Sequence, residues 1–263
     1  MAAPSYDTSG SAGAGAVIQT GSANVTSSSP GAIGKLFMLQ VLQDGTTGTP
    51  SVATGAAGRY EDLAGTDDAL TSLGAFDVGS AVAARQHVWL GRSLSSTSVI
   101  NVSVTTPGDD LYCRIFFFLN TSTGTTLSTV IENGSAGSSA NGAGTSTTVA
   151  DTGVTTLDVD RLAVNLIGIN DDLTGIASFT GETGGNWTQD ISFESSTGTD
   201  GTIALQTATM AFAGTINGGK ATITSEPSGV IGFALIGTTA AAPPLARPVQ
   251  MEWQQAVGRA SIW

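Results

Sequence analysis

The runs LYCRIFFFLN (residues 111–120) and SGVIGFALIG (residues 228–237) interrupt a chain otherwise rich in Gly, Ser, Thr and Ala. Successive side chains of a strand point to opposite faces of its sheet, so a nearly continuous apolar run is expected where both faces are covered. Each run therefore reads as the last, central strand of one half of the chain. Working outward, further segments match in the same order. KLFMLQVL (35–42) has its counterpart in RLAVNLIGI (161–169), each a basic residue leading into a buried strand. HVWLGRSL (87–94) parallels IALQTATM (203–210), and SVINVSVT (98–105) parallels KATITSEP (220–227). In SVINVSVT the alternation is clean, with Ile100, Val102 and Val104 on one face and Val99, Asn101, Ser103 and Thr105 on the other. A one-residue slip would turn that apolar face to water, which fixes the register.

Short apolar or alternating runs separated by Gly, Asn, Asp and Ser dominate, and almost no segment carries a helical i, i+3, i+4 pattern. Strands are predicted at 16–20, 36–42, 87–94, 99–105, 112–119, 145–149, 162–169, 203–211, 221–224 and 230–236. The expected fold is all-β: an antiparallel, jelly-roll-like β-sandwich of two pseudo-repeated halves, with Phe116, Phe118, Leu166, Phe233 and Leu235 in the core. The sandwich is expected over 1–241, in halves of 1–120 and 145–241, followed by a C-terminal extension at 242–263. The crossing at 121–156 is Gly- and Ser-rich, but Leu127, Val130 and Ile131 predict that part of it packs.

Of the 263 residues, 40% are hydrophobic, enough to argue against disorder, and only 11% are charged. The net charge of −12, with nine Lys and Arg and no basic run, argues against nucleic acid as a partner. One cysteine, Cys113, excludes an internal disulfide and a cysteine zinc cluster. No apolar stretch reaches the roughly 18–20 residues of a membrane helix, so no membrane is expected as a partner. The N-terminus has neither a cationic region nor an apolar core of the secretory type, and the expectation is assembly in a cytoplasm.

The motifs that touch on chemistry are weak. GTINGGKAT has P-loop spacing at Gly214, Gly219 and Lys220, but Ala221 stands where Mg²⁺ needs Ser or Thr, and a strand follows where a phosphate needs a helix. Its NGG is a hairpin signal. ADTGV (150–154) resembles an aspartic-protease loop without the second carboxylate motif. His87 is the single histidine, beside Trp89, and no G-x-S-x-G elbow accompanies it. The pairs Asp67-Asp68, Asp109-Asp110 and Asp171-Asp172, with Asp158 and Asp160, read as turn carboxylates, calcium loops being the alternative. No catalytic residue, cofactor or metal is assigned, and the chain is expected not to be an enzyme.

The segment PPLARPVQMEWQQAVGRASIW (243–263) differs from the rest. Pro243, Pro244 and Pro248 block continuation of the last strand, and two of the four tryptophans follow. Trp and Arg are enriched in interface hot spots. The candidate interaction residues are Arg247, Pro248, Met251, Trp253, Val257, Arg259, Ile262 and Trp263, on an arm expected to dock onto a neighbouring subunit.

The opening SYDTSGSAGAGAVIQTGSANVTSSSPGAIGKLFMLQV (5–41) resembles the first strands of β-sandwich modules of bacteriophage virion proteins and bacterial surface proteins, through Gly34-Lys35-Leu36-Phe37-Met38. Asp160-Arg161-Leu162, Trp187-Thr188 and residues 230–236 occupy the matching places in the second half, whereas RYEDLAG (59–65) stands in the first half where the W-T strand belongs. The resemblance implies a structural or adhesive protein without a catalytic set. It points to a virion component, a capsid decoration (cement) protein or a tail-fibre or tail-tip part. The implied partners are other virion proteins, copies of itself in a homo-oligomer (a trimer is one option) and a host surface glycan. A bacterial surface adhesive or carbohydrate-binding module is the alternative.

Overall fold

The computed structural model describes residues 3–9, 15–54, 59–79, 84–134, 136–141, 153–170, 179–180, 187–195, 201–216, 220–221 and 227–238. The first half contributes β1 (Ser5–Tyr6), β2 (Ala16–Ile18), β3 (Ser22–Thr26), β4 (Leu36–Asp44), β5 (Ser51–Thr54) and β6 (Tyr60–Glu61). It continues with β7 (Thr71–Val78), β8 (Ala84–Ser93), β9 (Asn101–Thr105) and β10 (Asp110–Leu119). One turn of helix, α1 (Leu127–Val130), and a 3-10 turn at Glu132–Gly134 make the crossing. The second half contributes β11 (Gly137–Asn141), β12 (Val154–Thr156), β13 (Arg161–Asn170), β14 (Phe179–Thr180) and β15 (Thr188–Ser195). It ends with β16 (Gly201–Met210), β17 (Gly214–Ile216), β18 (Lys220–Ala221) and β19 (Ser228–Ile236). The fold is all-β and antiparallel, as expected.

The two halves follow one pairing diagram. In the first, β10 lies between β1/β2 and β4, and β8 lies between β4 and β7. In the second, β19 lies between β11 and β13, and β16 lies between β13 and β15. A second ladder, β3-β9-β5, accompanies the first sheet. Its counterpart is split into β12-β17 and β14-β18. Even an irregularity recurs: the β7-β8 ladder slips between Ser72 and Gly74, the β15-β16 ladder between Gln189 and Ile191. The structure thereby corrects one correspondence, since β7 and not RYEDLAG occupies the place of the Trp187-Thr188 strand, and RYEDLAG supplies only the two residues of β6.

The two large sheets pack face to face. Leu36, Met38, Val88, Leu90, Phe116 and Phe118 of the first meet Leu162, Leu166, Leu205, Ile231, Phe233 and Leu235 of the second in one core. All five residues expected in the core are there. Val130 and Ile131 of the crossing plug the same core, with Leu127 packed against it. The opposite face of the first sheet is covered too: Phe37, Leu39, Ile115 and Phe117 pack with Val25, Ile100, Val102 and Val104 of the β3-β9-β5 ladder. The opposite face of the second sheet packs Ala163, Ala208, Met210 and Ala234 against Val154 of β12 and Ile216 of β17. The architecture is therefore a stack of four antiparallel β-layers, in keeping with the sandwich-like all-β fold expected. The inner strands β4, β10, β13 and β19 of the two central sheets have both faces covered, which explains the continuous apolar runs.

At one end of this stack the central sheets approach so closely that glycines are needed. A Cβ on Gly168 would stand 2.7 Å from Gln86 Cδ, and one on Gly201 2.5 Å from the Tyr112 ring. Gln40 Nε2 donates to Gln86 Oε1 (2.6 Å) and to the Ile167 carbonyl (3.0 Å), and Gln86 Nε2 donates to the Gly229 carbonyl (3.0 Å). The bonds to the Ile167 and Gly229 carbonyls span the halves, while Gln40 Oε1 is buried without a partner.

The strand predicted at 145–149 and most of that at 221–224 lie outside the described residues. β3, β5, β7, β11 and β12 were not expected from the sequence, whereas β15 begins at the Trp187-Thr188 strand that the resemblance implied.

Each phenylalanine of the shared core contributes roughly 1.5–3 kcal/mol by burial. Phe116→Ala is expected to cost about 3–5 kcal/mol in urea unfolding, transfer and cavity terms together. Because Phe116 serves both halves, spectroscopic probes placed in either half should shift together; a shift confined to the first half would contradict the shared core.

Candidate functional site

The strands β4 and β13 begin at the same end of the stack, as their shared core and the isolated bridges Thr121–Gly237 and Ile131–Leu235 require. At this end a basic residue opens each strand and holds a buried carboxylate. Lys35 Nζ lies 2.5 Å from Asp7 Oδ2, both side chains 7% exposed, and also sits over the Phe117 ring. Arg161 Nε lies 3.4 Å from Glu132 Oε2. The basic residues were read from sequence as strand openers; their partners were not foreseen. Arg92 completes the framework, donating to the carbonyls of Gly34, Ser122 and Gly124 at 3.3, 2.7 and 3.0 Å. Burial lowers the pKa of this guanidinium, and charge-assisted bonds to three carbonyls offset the desolvation.

The loops fixed in this way carry an unusual load. Among the described residues, the large hydrophobic side chains left exposed are Ile33, Val99, Leu119, Leu157, Val159 and Phe212. All six belong to this one end. Ile33 precedes β4, Val99 joins β8 to β9, Leu119 closes β10, Leu157 and Val159 precede β13, and Phe212 joins β16 to β17. Ile33 is 70% exposed, Leu157 68% and Phe212 52%. Scattered apolar residues on a surface need no explanation, but their confinement to one end marks an interaction face. A cavity of about 290 Å³ opens here, lined among others by Ala32, Ile33, Gly34, Leu119 and Thr238. Thr238 donates its N–H to the Asn120 carbonyl (2.9 Å), so the chain leaves the stack at this same face.

The sequence reading placed the interaction residues beyond this point. Arg247, Pro248, Met251, Trp253, Val257, Arg259, Ile262 and Trp263 all lie outside the described residues. It missed the six exposed side chains. The signal for them is an apolar residue inside turn chemistry, as in PGAIGK, TTLDVDR and MAFAG.

The sites considered for chemistry have structural surroundings. His87 is buried within β8, where a position opening the strand was expected. Gln43 Nε2 donates to Asp109 Oδ2 (2.6 Å), which turns Gln43 Oε1 toward His87 Nε2 at 2.9 Å, so the imidazole donates there. The His87 ring stacks on Trp89 at 5.8 Å. Desolvation, helped by the Arg85 charge, lowers its pKa to about 4. Cys113 is fully buried, and desolvation raises its pKa far from the reactive range. Asp109 also accepts from the Thr47 N–H (2.9 Å), Asp68 and Asp160 adopt left-handed turns, and Asp158 lies 3.7 Å from Arg161. Among the described residues no three His, Cys, Asp or Glu converge as metal ligands. β17 and β18 flank the NGG of the P-loop-like segment; residues 217–219, 150–152 and Asp171-Asp172 lie outside the described residues. Among the described residues no helix is long and apolar enough to cross a membrane.

No family model matches the chain, and neither a curated protein nor a solved structure matches it.

His87 supplies a pH test. Its folded pKa of about 4 lies below the 6.5 of an ordinary histidine, so the unfolded chain binds the extra proton between these values. Its contribution is fully present above pH 6.5 and is lost as pH falls toward 4. In urea unfolding across pH 4–7, His87→Gln should show a shallower fall in stability than the unsubstituted protein; parallel curves would contradict the buried neutral imidazole.

Proposed function

We propose that this chain is a structural subunit of a bacteriophage virion, a capsid decoration protein or a tail-fibre or tail-tip component, built from two jelly-roll-like halves related by an internal repeat. It acts by protein–protein assembly, not by catalysis. The observation that supports this most directly is the gathering of six exposed apolar side chains at the end where the chain leaves its last strand. A protein that works through one seated end needs such a face, held on a stiff body. Here the body is four β-layers, and the face is set by the buried ion pairs Lys35–Asp7 and Arg161–Glu132.

The partners in this reading are other virion proteins and copies of this chain in a homo-oligomer, with residues 242–263 as the assembly arm. Met251, Trp253, Ile262 and Trp263 supply the apolar content that such a face would cover. The acidic chain, with its net charge of −12, disfavours capsid nucleic acid as the contact and favours a protein surface. The place of work is the virion, assembled in the host cytoplasm. The resemblance to bacterial surface modules leaves an adhesive or carbohydrate-binding role as the competing reading.

Two variants separate the face from the fold. Ile33→Asp with Phe212→Asp should leave the thermal transition within a few degrees of the original, because both side chains are already exposed. The same pair should shift sedimentation from oligomer to monomer and prevent capture on purified virions. Deleting residues 242–263 should do the same. An oligomer that persists in both variants would overturn the assembly role of this end.

A further inference from the structure

The chain has two lysines, Lys35 and Lys220, and Lys35 is held out of water, which a lysine accepts only when paired. Its side chain and that of Asp7 are each 7% exposed, and Nζ lies 2.5 Å from Asp7 Oδ2. The amine sits over the Phe117 ring, 5.8 Å from its centroid. Gly31 closes over it, since a Cβ there would stand 3.7 Å from Nζ. Both backbones are pinned. Asp7 donates its N–H to the Phe117 carbonyl (2.9 Å), and Lys35 donates its own to Ser93 Oγ (3.1 Å). The Ser93 N–H in turn donates to the Lys35 carbonyl (3.0 Å). The two residues flank one strand: Asp7 follows β1, Lys35 precedes β4, and β10 runs between those strands.

The carboxylate is not held by the amine alone. Ser9 donates both its N–H (3.1 Å) and its hydroxyl (2.7 Å) to Asp7 Oδ1. The two oxygens therefore have different surroundings: Oδ1 receives two neutral donors, while Oδ2 faces the amine. Acyl transfer requires this arrangement, because negative charge develops on the oxygen that stays while the nucleophile displaces the other. Burial disfavours the separated charges, so one proton transfer across the contact brings a neutral amine and a protonated carboxyl within reach. At the matching place of the second half Arg161 stands beside Glu132, and a guanidinium keeps its proton and is no nucleophile.

We propose that Lys35 and Asp7 condense to an intramolecular isopeptide bond in the folded protein, the ion pair being the state before condensation. One proton passes from Nζ to Oδ2, and the freed lone pair of the amine attacks Cγ. The Ser9 N–H and hydroxyl meet the negative charge that develops on Oδ1. The bond from Cγ to Oδ2 then breaks, and Oδ2 leaves as water with the first proton and a second one from Nζ. The product is a neutral secondary amide. One cation and one anion disappear together, and no other reactant is consumed. In bulk water hydrolysis competes, but groups held in contact reach effective concentrations of about 10⁵–10⁸ M, and this site excludes solvent. The amide also removes the cost of keeping two charges out of water. The bond ties β1 to β4 across β10 and closes a covalent loop over residues 7–35. It is independent of what the apolar end binds.

Mass spectrometry of the full chain, folded, aged at neutral pH and then denatured, tests it. The intact mass should fall short of the sequence mass by one water. Trypsin should fail to cut after Lys35, leaving a peptide that runs on to Arg59, also short of one water. Fragment ions should place the link between Asp7 and Lys35. Lys35→Arg, which keeps the charge pair, and Asp7→Ala should both restore the full mass. Ser9→Ala should slow the loss of water by about tenfold or more. Should these variants fail to fold, the peptide map of the unsubstituted chain decides alone. Full mass in the aged protein overturns the proposal, and so does a lost water in a digest where trypsin still cuts after Lys35. An unchanged rate in Ser9→Ala overturns the role given to the Oδ1 donors.

Discussion

The inner strands β4, β10, β13 and β19 of the two central sheets are covered on both faces, and most of the structure follows from that constraint. A sheet covered on both sides cannot alternate apolar with polar residues, so β4, β10, β13 and β19 are buried almost throughout. Consecutive residues then serve different cores: Phe116 and Phe118 face the other half, while Ile115 and Phe117 face the β3-β9-β5 ladder. Polar groups on the inner strands lie away from water, and Gln40 and Gln86 find carbonyl partners across the seam at Ile167 and Gly229. The glycines at 168, 201 and 229 set how closely the sheets approach there.

The two halves share a diagram but not an economy of packing. The first fills its private core with Phe37, Leu39, Trp89, Ile115 and Phe117. The second meets the same positions with alanine, glycine and amides. Among the described residues, the first half therefore buries the larger apolar side chains at these positions, while Phe233, Leu235, Leu166 and Leu205 are large side chains that the second half places in the shared core.

How much of this could be read from sequence varies with burial. The inner strands were legible because double burial writes itself as uninterrupted apolar runs, and the core residues named from those runs are in the core. β9 was legible because one buried face gives strict alternation. β7 was not: TSLGAFDV carries Gly74 and a bulge at Leu73, which break the period of two that identifies a strand. β3 and β5 are edge strands of Ser, Asn, Thr and Ala with one valine each, and their sequences resemble loops. The four-layer arrangement was missed because alternation reports how many faces are covered but not by what. The partners Asp7 and Glu132 of the opening basic residues come from elements distant in sequence, so spacing gave no sign of them. For the site, the apolar end was overlooked because its residues are single, each in a different loop, and only topology gathers them.

Asn120, in a left-handed turn, accepts the Thr238 N–H at its carbonyl and donates its side-chain amide to the Ala3 carbonyl at 3.4 Å. The first and last described segments thus meet on one residue, and the backbone comes close to forming a ring. In a ring the point of opening is arbitrary. A short linker from 238 to 3, with a new break in the turn at 106–109, would preserve every ladder of both halves while moving both free ends to the far pole. Strand order along the chain records how this molecule is synthesised; the architecture itself is indifferent to it.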